Sequence, residues 1–131
     1  MKILLDTHIA LWAITDDPRL PQVAREQILD DRNEIYVSAA SVWEIAIKHG
    51  LARGRPNDMP LSGEAARGFF QSSGYRMLAI SADHAAAVSA LPLVHADPFD
   101  RILVAQALFE PLHFMTHDKI LAAYGDGIWI V

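Results

Sequence analysis

The sequence predicts an α/β fold: a single domain, residues 1–131, built on a central, mostly parallel sheet flanked by helices. Three observations predict it. Short apolar runs with strand character, KILL (2–5), EIYV (34–37), YRMLAI (75–80), LHFMT (112–116) and IWIV (128–131), recur along the chain. Helical patterns separate them, and strands joined through helices lie side by side in parallel. A length of 131 residues, with 52% hydrophobic and 21% charged side chains, buries one core without help from cross-links.

Taken in order, KILL is followed at once by a helical pattern in THIALWAI (7–14). DDPRLP (16–21) is a turn, and Pro21 starts a second helix that runs through Ile28 and Leu29. DDRN (30–33) turns the chain into the β-branched and aromatic EIYV. SAASVWEIAIKHG (38–50) has a complete set of helix signals: Ser38 to cap it, Lys48 and His49 in its last turn, Gly50 to end it. LARGRPNDMPLS (51–62) is the one long irregular stretch. Its length is unusual for a connector in a compact domain, so it reads either as a functional rim carrying Arg53 and Arg55 or as a solvated loop. GEAARGFFQS (63–72) is amphipathic and helical. Ser81 caps SADHAAAVSAL, Asp97 caps a helix that reaches Phe109, and DKILAAY (118–124) reads as a short helix before the last strand.

Composition excludes several classes of function. With no cysteine, disulfides, thiolate metal sites and cysteine nucleophiles are all ruled out. MKILLD is too short an apolar start for a signal peptide, and no run approaches the roughly 18 apolar residues of a membrane helix, so a cytoplasmic protein without membrane contact is expected. The net charge of −5 does not advertise a nucleic-acid binder, although total charge says nothing about local sign.

The informative residues are acids. In HADPFDRILVAQA (95–107), Asp97 and Asp100 open an apolar helix three residues apart. Capping by Asp97, Pro98 at the first helical position and the dipole's preference for an anion at Asp100 account for both locally. Asp6 and Asp118 each follow a strand, where open α/β sheets bind their ligands, although each is also placed to cap the helix after it. Glu44 lies in AASVWEIAI, and alone it reads as half of an exposed Glu44–Lys48 pair. If Asp6, Glu44, Asp100 and Asp118 meet, the physics changes. Two carboxylates ~4 Å apart repel by about 4 kcal/mol at an effective dielectric of ~20, so such a cluster calls for a cation. Hard oxygen donors suit Mg²⁺ or Mn²⁺, ions that activate water against a phosphodiester.

LLDTH (4–8), SVWEIAIK (41–48), DPFDRILVAQA (97–107) and THD (116–118), in this order, resemble the PIN-domain family, and more closely its VapC-type toxin ribonucleases from toxin–antitoxin pairs. The resemblance spans essentially the whole chain. It implies a metal-dependent endoribonuclease in which Asp6, Glu44, Asp100 and Asp118 bind Mg²⁺ or Mn²⁺. Asp6 is then a direct ligand, and Asp118 acts through water or at a second ion. Thr7 and Thr116 match hydroxyl positions that orient the carboxylates or contact the scissile phosphate. It also implies an RNA substrate, a cognate antitoxin protein and a homodimer, with Trp12 and Trp43 suited either to a partner groove or to the core.

Two departures accompany the resemblance. An alignment shifted by three residues would make Asp97 the ligand in place of Asp100, and His117 separates Thr116 from Asp118. Arg101 is expected in a salt bridge. His113 and His117 are four apart on a strand-to-loop segment and share no face as a metal pair, while His8 and His95 read either as helpers of a leaving group or RNA at the acidic site or, by preference, as polar neighbours of the cleft. The rival readings are a same-fold nuclease processing structured RNA or DNA, and a degenerate or receiver-like binding module. A haloacid-dehalogenase-type phosphatase is disfavoured because His8 stands where its second aspartate belongs, and GDG (125–127) is a turn rather than a phosphate loop.

Overall fold

The computed structural model describes residues 1–131. Its elements are β1 (Lys2–Leu5), α1 (Thr7–Ile14), α2 (Gln22–Leu29), β2 (Glu34–Ser38), α3 (Ala39–Gly50), α4 (Gly63–Ser72), β3 (Arg76–Leu78), α5 (Ala82–Ala87), α6 (Pro98–Phe109), β4 (His113–Thr116) and β5 (Ile128–Ile130). The five strands form one sheet in the order β3-β2-β1-β4-β5, and every neighbouring pair is parallel.

Alternation along the strands distributes the core to both faces of the sheet. Ile3 and Leu5 of β1, Ile35 and Val37 of β2 and Met115 of β4 pack on one side with Ile9, Ala10, Trp12, Ile45 and Phe70 of the helices. Leu4 and Phe114 point the other way, onto Leu103, Val104 and Ala107 of α6. Central strands covered on both faces have no polar side to show, which is why KILL and HFMT read as nearly continuous apolar runs.

Two segments differ from expectation. The strand expected over 75–80 pairs only at Arg76, Met77 and Leu78, because its partner β2 ends at Ser38, whose hydroxyl accepts the Ala40 amide to cap α3. The segment expected as a short α-helix is a 3₁₀ helix, Lys119–Tyr124, ended by Gly125 at φ +135. Its buried residues, Leu121 and Tyr124, are three apart and eclipse one another in a 3₁₀ turn, so this winding buries both. At the start of α4, Gly63 lets two helices meet closely: a Cβ there would lie 2.7 Å from the Ala46 Cβ. No helix is long and apolar enough to cross a membrane.

Candidate active site

The chain winds from β1 outward through β2 to β3, then returns to place β4 on the opposite side of β1. The crevice at the carboxyl ends of β1 and β4 is therefore the topological switch point, where open parallel sheets bind ligands. Asp6 leaves β1 at that point, and Thr116 and Asp118 leave β4 there. Backbone pairing ties the two strand ends together, since the Asp6 amide donates to the Met115 carbonyl at 2.9 Å.

Asp6 is buried, 7% exposed, and held from two sides. Its Oδ1 accepts the Thr7 amide at 2.7 Å, and its Oδ2 accepts the Thr116 hydroxyl at 2.6 Å. The same Thr116 Oγ1 accepts the Asp118 amide at 3.1 Å, so one hydroxyl sets the relative position of two acids. Thr7 is buried and its hydroxyl donates to Ser41 Oγ at 2.9 Å, joining the starts of α1 and α3. It is the Thr7 amide that touches Asp6, while the hydroxyl is engaged with Ser41.

At the start of α6 the two aspartates divide. Asp97 Oδ1 accepts the Phe99 amide at 2.8 Å and caps the helix. Asp100, in the first turn, instead joins His95 and Asp118 in a group whose ligand atoms all lie within 4.8 Å of one another. Glu44, 3% exposed, accepts Lys48 Nζ at 2.6 Å. The Glu44–Lys48 pair expected from sequence forms, but its acidic half is buried rather than exposed. Burial requires such a partner, because an unpaired carboxylate in the interior is costly.

Charge links the two layers of acids. Burial pushes the Asp100 carboxyl up to about 7, reinforced by the charges of Asp6, Asp97 and Glu44 against an opposing pull from His95. Burial likewise raises the Asp6 carboxyl, and Glu44 adds to the rise, while the Thr116 hydroxyl, His8 and the Thr7 amide pull it down. Asp6, Glu44 and Asp100 thus sense one another across the crevice, and Asp118 flanks it at 35% exposure. The donors are predominantly carboxylate oxygens in excess of the local cations, a set that fits a hard divalent ion such as Mg²⁺ or Mn²⁺.

The remaining expected residues fall in various places. Arg101 forms no salt bridge, contrary to expectation. Its guanidinium donates to the carbonyls of Pro92 (3.0 Å) and Val88 (3.2 Å) and to the Tyr124 hydroxyl (3.1 Å), fastening the segment before α6. It cannot turn to an acid without giving up these carbonyls. Trp12 belongs to the core, whereas Trp43 is 58% exposed and meets Phe99 edge-on at 5.1 Å. His8 packs near Trp12, and His117 Nδ1 is bonded to the Val131 carbonyl, away from any shared site with His113. In the loop 51–62, Asp58 Oδ2 accepts the backbone amides of Arg53 and Arg55, leaving both residues exposed.

His95 is the residue sequence reasoning undervalued. Its position two before a capping aspartate was the available signal, because an imidazole there can receive that aspartate's own amide. Ser41 and Tyr124 gave no comparable signal; each matters through a contact distant in sequence.

A family model described as PIN domain matches residues 3–127. Among solved structures, the fold is similar to VapBC2 from Rickettsia felis bound to a DNA fragment from their promoter (TM-score 0.70, 15% identity, covering 100% of this chain and 98% of that one). It is similar also to DNA-bound VapBC from Salmonella typhimurium (TM-score 0.68, 17% identity, 100% and 97%). A toxin–antitoxin complex from Klebsiella pneumoniae shares it too (TM-score 0.62, 20% identity, 98% and 99%). No curated protein matches the sequence.

Proposed function

The chain belongs to the PIN domain family, a family of nucleases, and from that premise we propose that it is a Mg²⁺- or Mn²⁺-dependent endoribonuclease, the toxin of a toxin–antitoxin pair. Its site is Asp6, Glu44, Asp100 and Asp118, with Thr116 and Thr7 as orienting residues. The observation that carries the reading is the collection of acids at the β1/β4 switch point, where the Asp100 carboxyl is raised to about 7 by burial and by its neighbours' charge. A binding module gains nothing from carboxylates held against their own repulsion; a site for a divalent cation does.

An ion held by Asp6, Glu44, Asp100 and Asp118 would supply Lewis acidity and lower the pKa of a water for hydrolysis of a phosphodiester. The chain's own residues do the rest. Thr116 orients Asp6 and Asp118 together, Asp97 keeps the helix start so that Asp100 stays free for the crevice, and Lys48 gives the buried Glu44 its hydrogen-bond partner. An RNA phosphate would enter beside the partly exposed Asp100 and Asp118, past His8 and Lys48, which also line a neighbouring cavity of about 720 Å³.

The solved structures of similar fold include toxin–antitoxin complexes, which supports a cognate antitoxin as partner. An apolar pocket of about 500 Å³, lined by Trp43, Ile80, Val88, Phe99 and Ile102, supports a protein partner, antitoxin or a second copy in a homodimer. The test is direct. Purified protein should cut RNA with Mg²⁺ or Mn²⁺, lose the activity to EDTA, and lose it again in Asp6→Asn while keeping its fold by circular dichroism. Full activity in that variant overturns the assignment; preference for DNA would favour the processing-nuclease reading.

A further inference from the structure

His95 stands between two of the four acids, and the wiring of its ring decides what it does there. Nδ1 lies 3.1 Å from the Asp97 amide. An amide N–H only donates, so Nδ1 keeps its lone pair, and the single ring proton of a neutral imidazole rides on Nε2. That nitrogen lies 3.2 Å from Asp118 Oδ2 and 3.5 Å from Asp100 Oδ2. The backbone is fixed as well: the His95 amide donates to the Tyr124 hydroxyl at 3.1 Å, which Arg101 also binds. The ring therefore has little freedom to rotate or to exchange its two nitrogens.

A metal-bound histidine has the reverse arrangement. Its ligating nitrogen is bare, and the far nitrogen donates to a carbonyl or carboxylate. Here the far nitrogen faces a donor, so the nitrogen aimed at the acids carries the proton. We propose that His95 is a positioning residue whose Nε2–H is a shared donor to Asp100 and Asp118, holding these carboxylates convergent while occupying no coordination position on the ion they face. The inference rests on the metal-site reading above. A ring N–H suits the task, because it steers two carboxylates from a nitrogen that has no lone pair to offer an incoming cation.

Three variants and two spectroscopic measurements test this. The amide nitrogen of glutamine reaches the place of Nε2, and the amide oxygen of asparagine reaches the place of Nδ1. Titration calorimetry with Mn²⁺ should show His95→Ala and His95→Asn binding about tenfold or more weakly, and His95→Gln within about threefold of the parent, the size typical of losing or keeping an outer partner of a metal ligand. Nitrogen-15 spectra of the metal-free protein should show His95 protonated at Nε2, and pulsed EPR of the Mn²⁺-loaded protein should show no directly bound imidazole nitrogen. Rescue by asparagine and not glutamine would reduce the ring to ordering the chain before α6, and overturn the proposal. So would a Mn²⁺-coupled imidazole nitrogen, or a proton on Nδ1. If the parent protein binds no Mn²⁺ at all, the metal site itself falls, and this inference with it; a wrong order of rescue with Mn²⁺ still bound removes this inference alone.

Discussion

Asp100→Asn separates function from stability in a way that the geometry quantifies. The Asp100 side chain is 18% exposed, and its carboxyl is pushed from the ordinary 3.8 up to about 7 by burial and by Asp6, Asp97 and Glu44. A carboxyl whose pKa is higher folded than unfolded holds its proton better in the fold. Its contribution is complete below about pH 4 and is lost as pH rises through about 7. At about 1.4 kcal/mol per pH unit, the metal-free protein at pH 8 would carry a gross penalty of about 4 kcal/mol. The dipole of α6 favours an anion in its first turn by about 0.3–1 kcal/mol, and relaxation around a partly exposed group removes more, leaving a net penalty of about 1–3 kcal/mol. Asparagine cannot ionise and escapes it. Differential scanning calorimetry without metal should therefore give Asp100→Asn a Tm about 4–10 °C above the parent at pH 8, with the gap cut to less than half at about pH 5 and nearly closed at about pH 4. The same variant should cut no RNA, and Mn²⁺ should stabilise it less than the parent. An Asn variant less stable than the parent by the same margin at both pH values would refute the argument, since Asp100 would then be supporting the fold rather than straining it.

Three other outcomes follow from the same structure. Because a cation and a proton compete for Asp100, Mn²⁺ affinity should rise by up to about tenfold per pH unit between pH 5 and 7 and level above it; a flat calorimetric profile contradicts the raised carboxyl. Gly63→Ala drives a methyl into Ala46 Cβ, with the Val42 carbonyl only 3.2 Å away, and should cost about 1–3 kcal/mol in urea unfolding at unchanged m-value. Gln106, fully buried in α6, accepts the Ser38 hydroxyl and donates to the Ala79 carbonyl, so Gln106→Leu should cost about 1–3 kcal/mol by stranding both, with the thermal midpoint as the readout.

Much of the architecture is legible in the letters because its causes are local. Ser38, Ser62, Ser81 and Asp97 each cap a helix through their own side chain, and the apolar runs of β1 and β4 announce strands covered on both faces. Less legible are the elements that depend on a neighbour. The third strand is cut to three residues by where β2 ends, and the segment after Asp118 winds as 3₁₀ because Leu121 and Tyr124 must both reach the core.

For the candidate site the division is sharper. Sequence alone determined which residue types stand after each strand, and the order of the acidic blocks that resemble a nuclease family. Read residue by residue and without the resemblance, it left Asp97 and Asp100 both as helix-start residues, Glu44 as half of a surface ion pair and His95 as a polar neighbour of the cleft. Tertiary structure decided how each side chain is placed: Asp97 takes the helix amide, Glu44 is buried with Lys48, Arg101 binds carbonyls instead of acids, and His95 sets its Nε2 beside two carboxylates. The reason is range. Capping and strand propensity act over a few bonds, whereas the charge state of Asp100 depends on Asp6 and Glu44, which only the packing of α3 and α6 beside the end of β1 brings within reach.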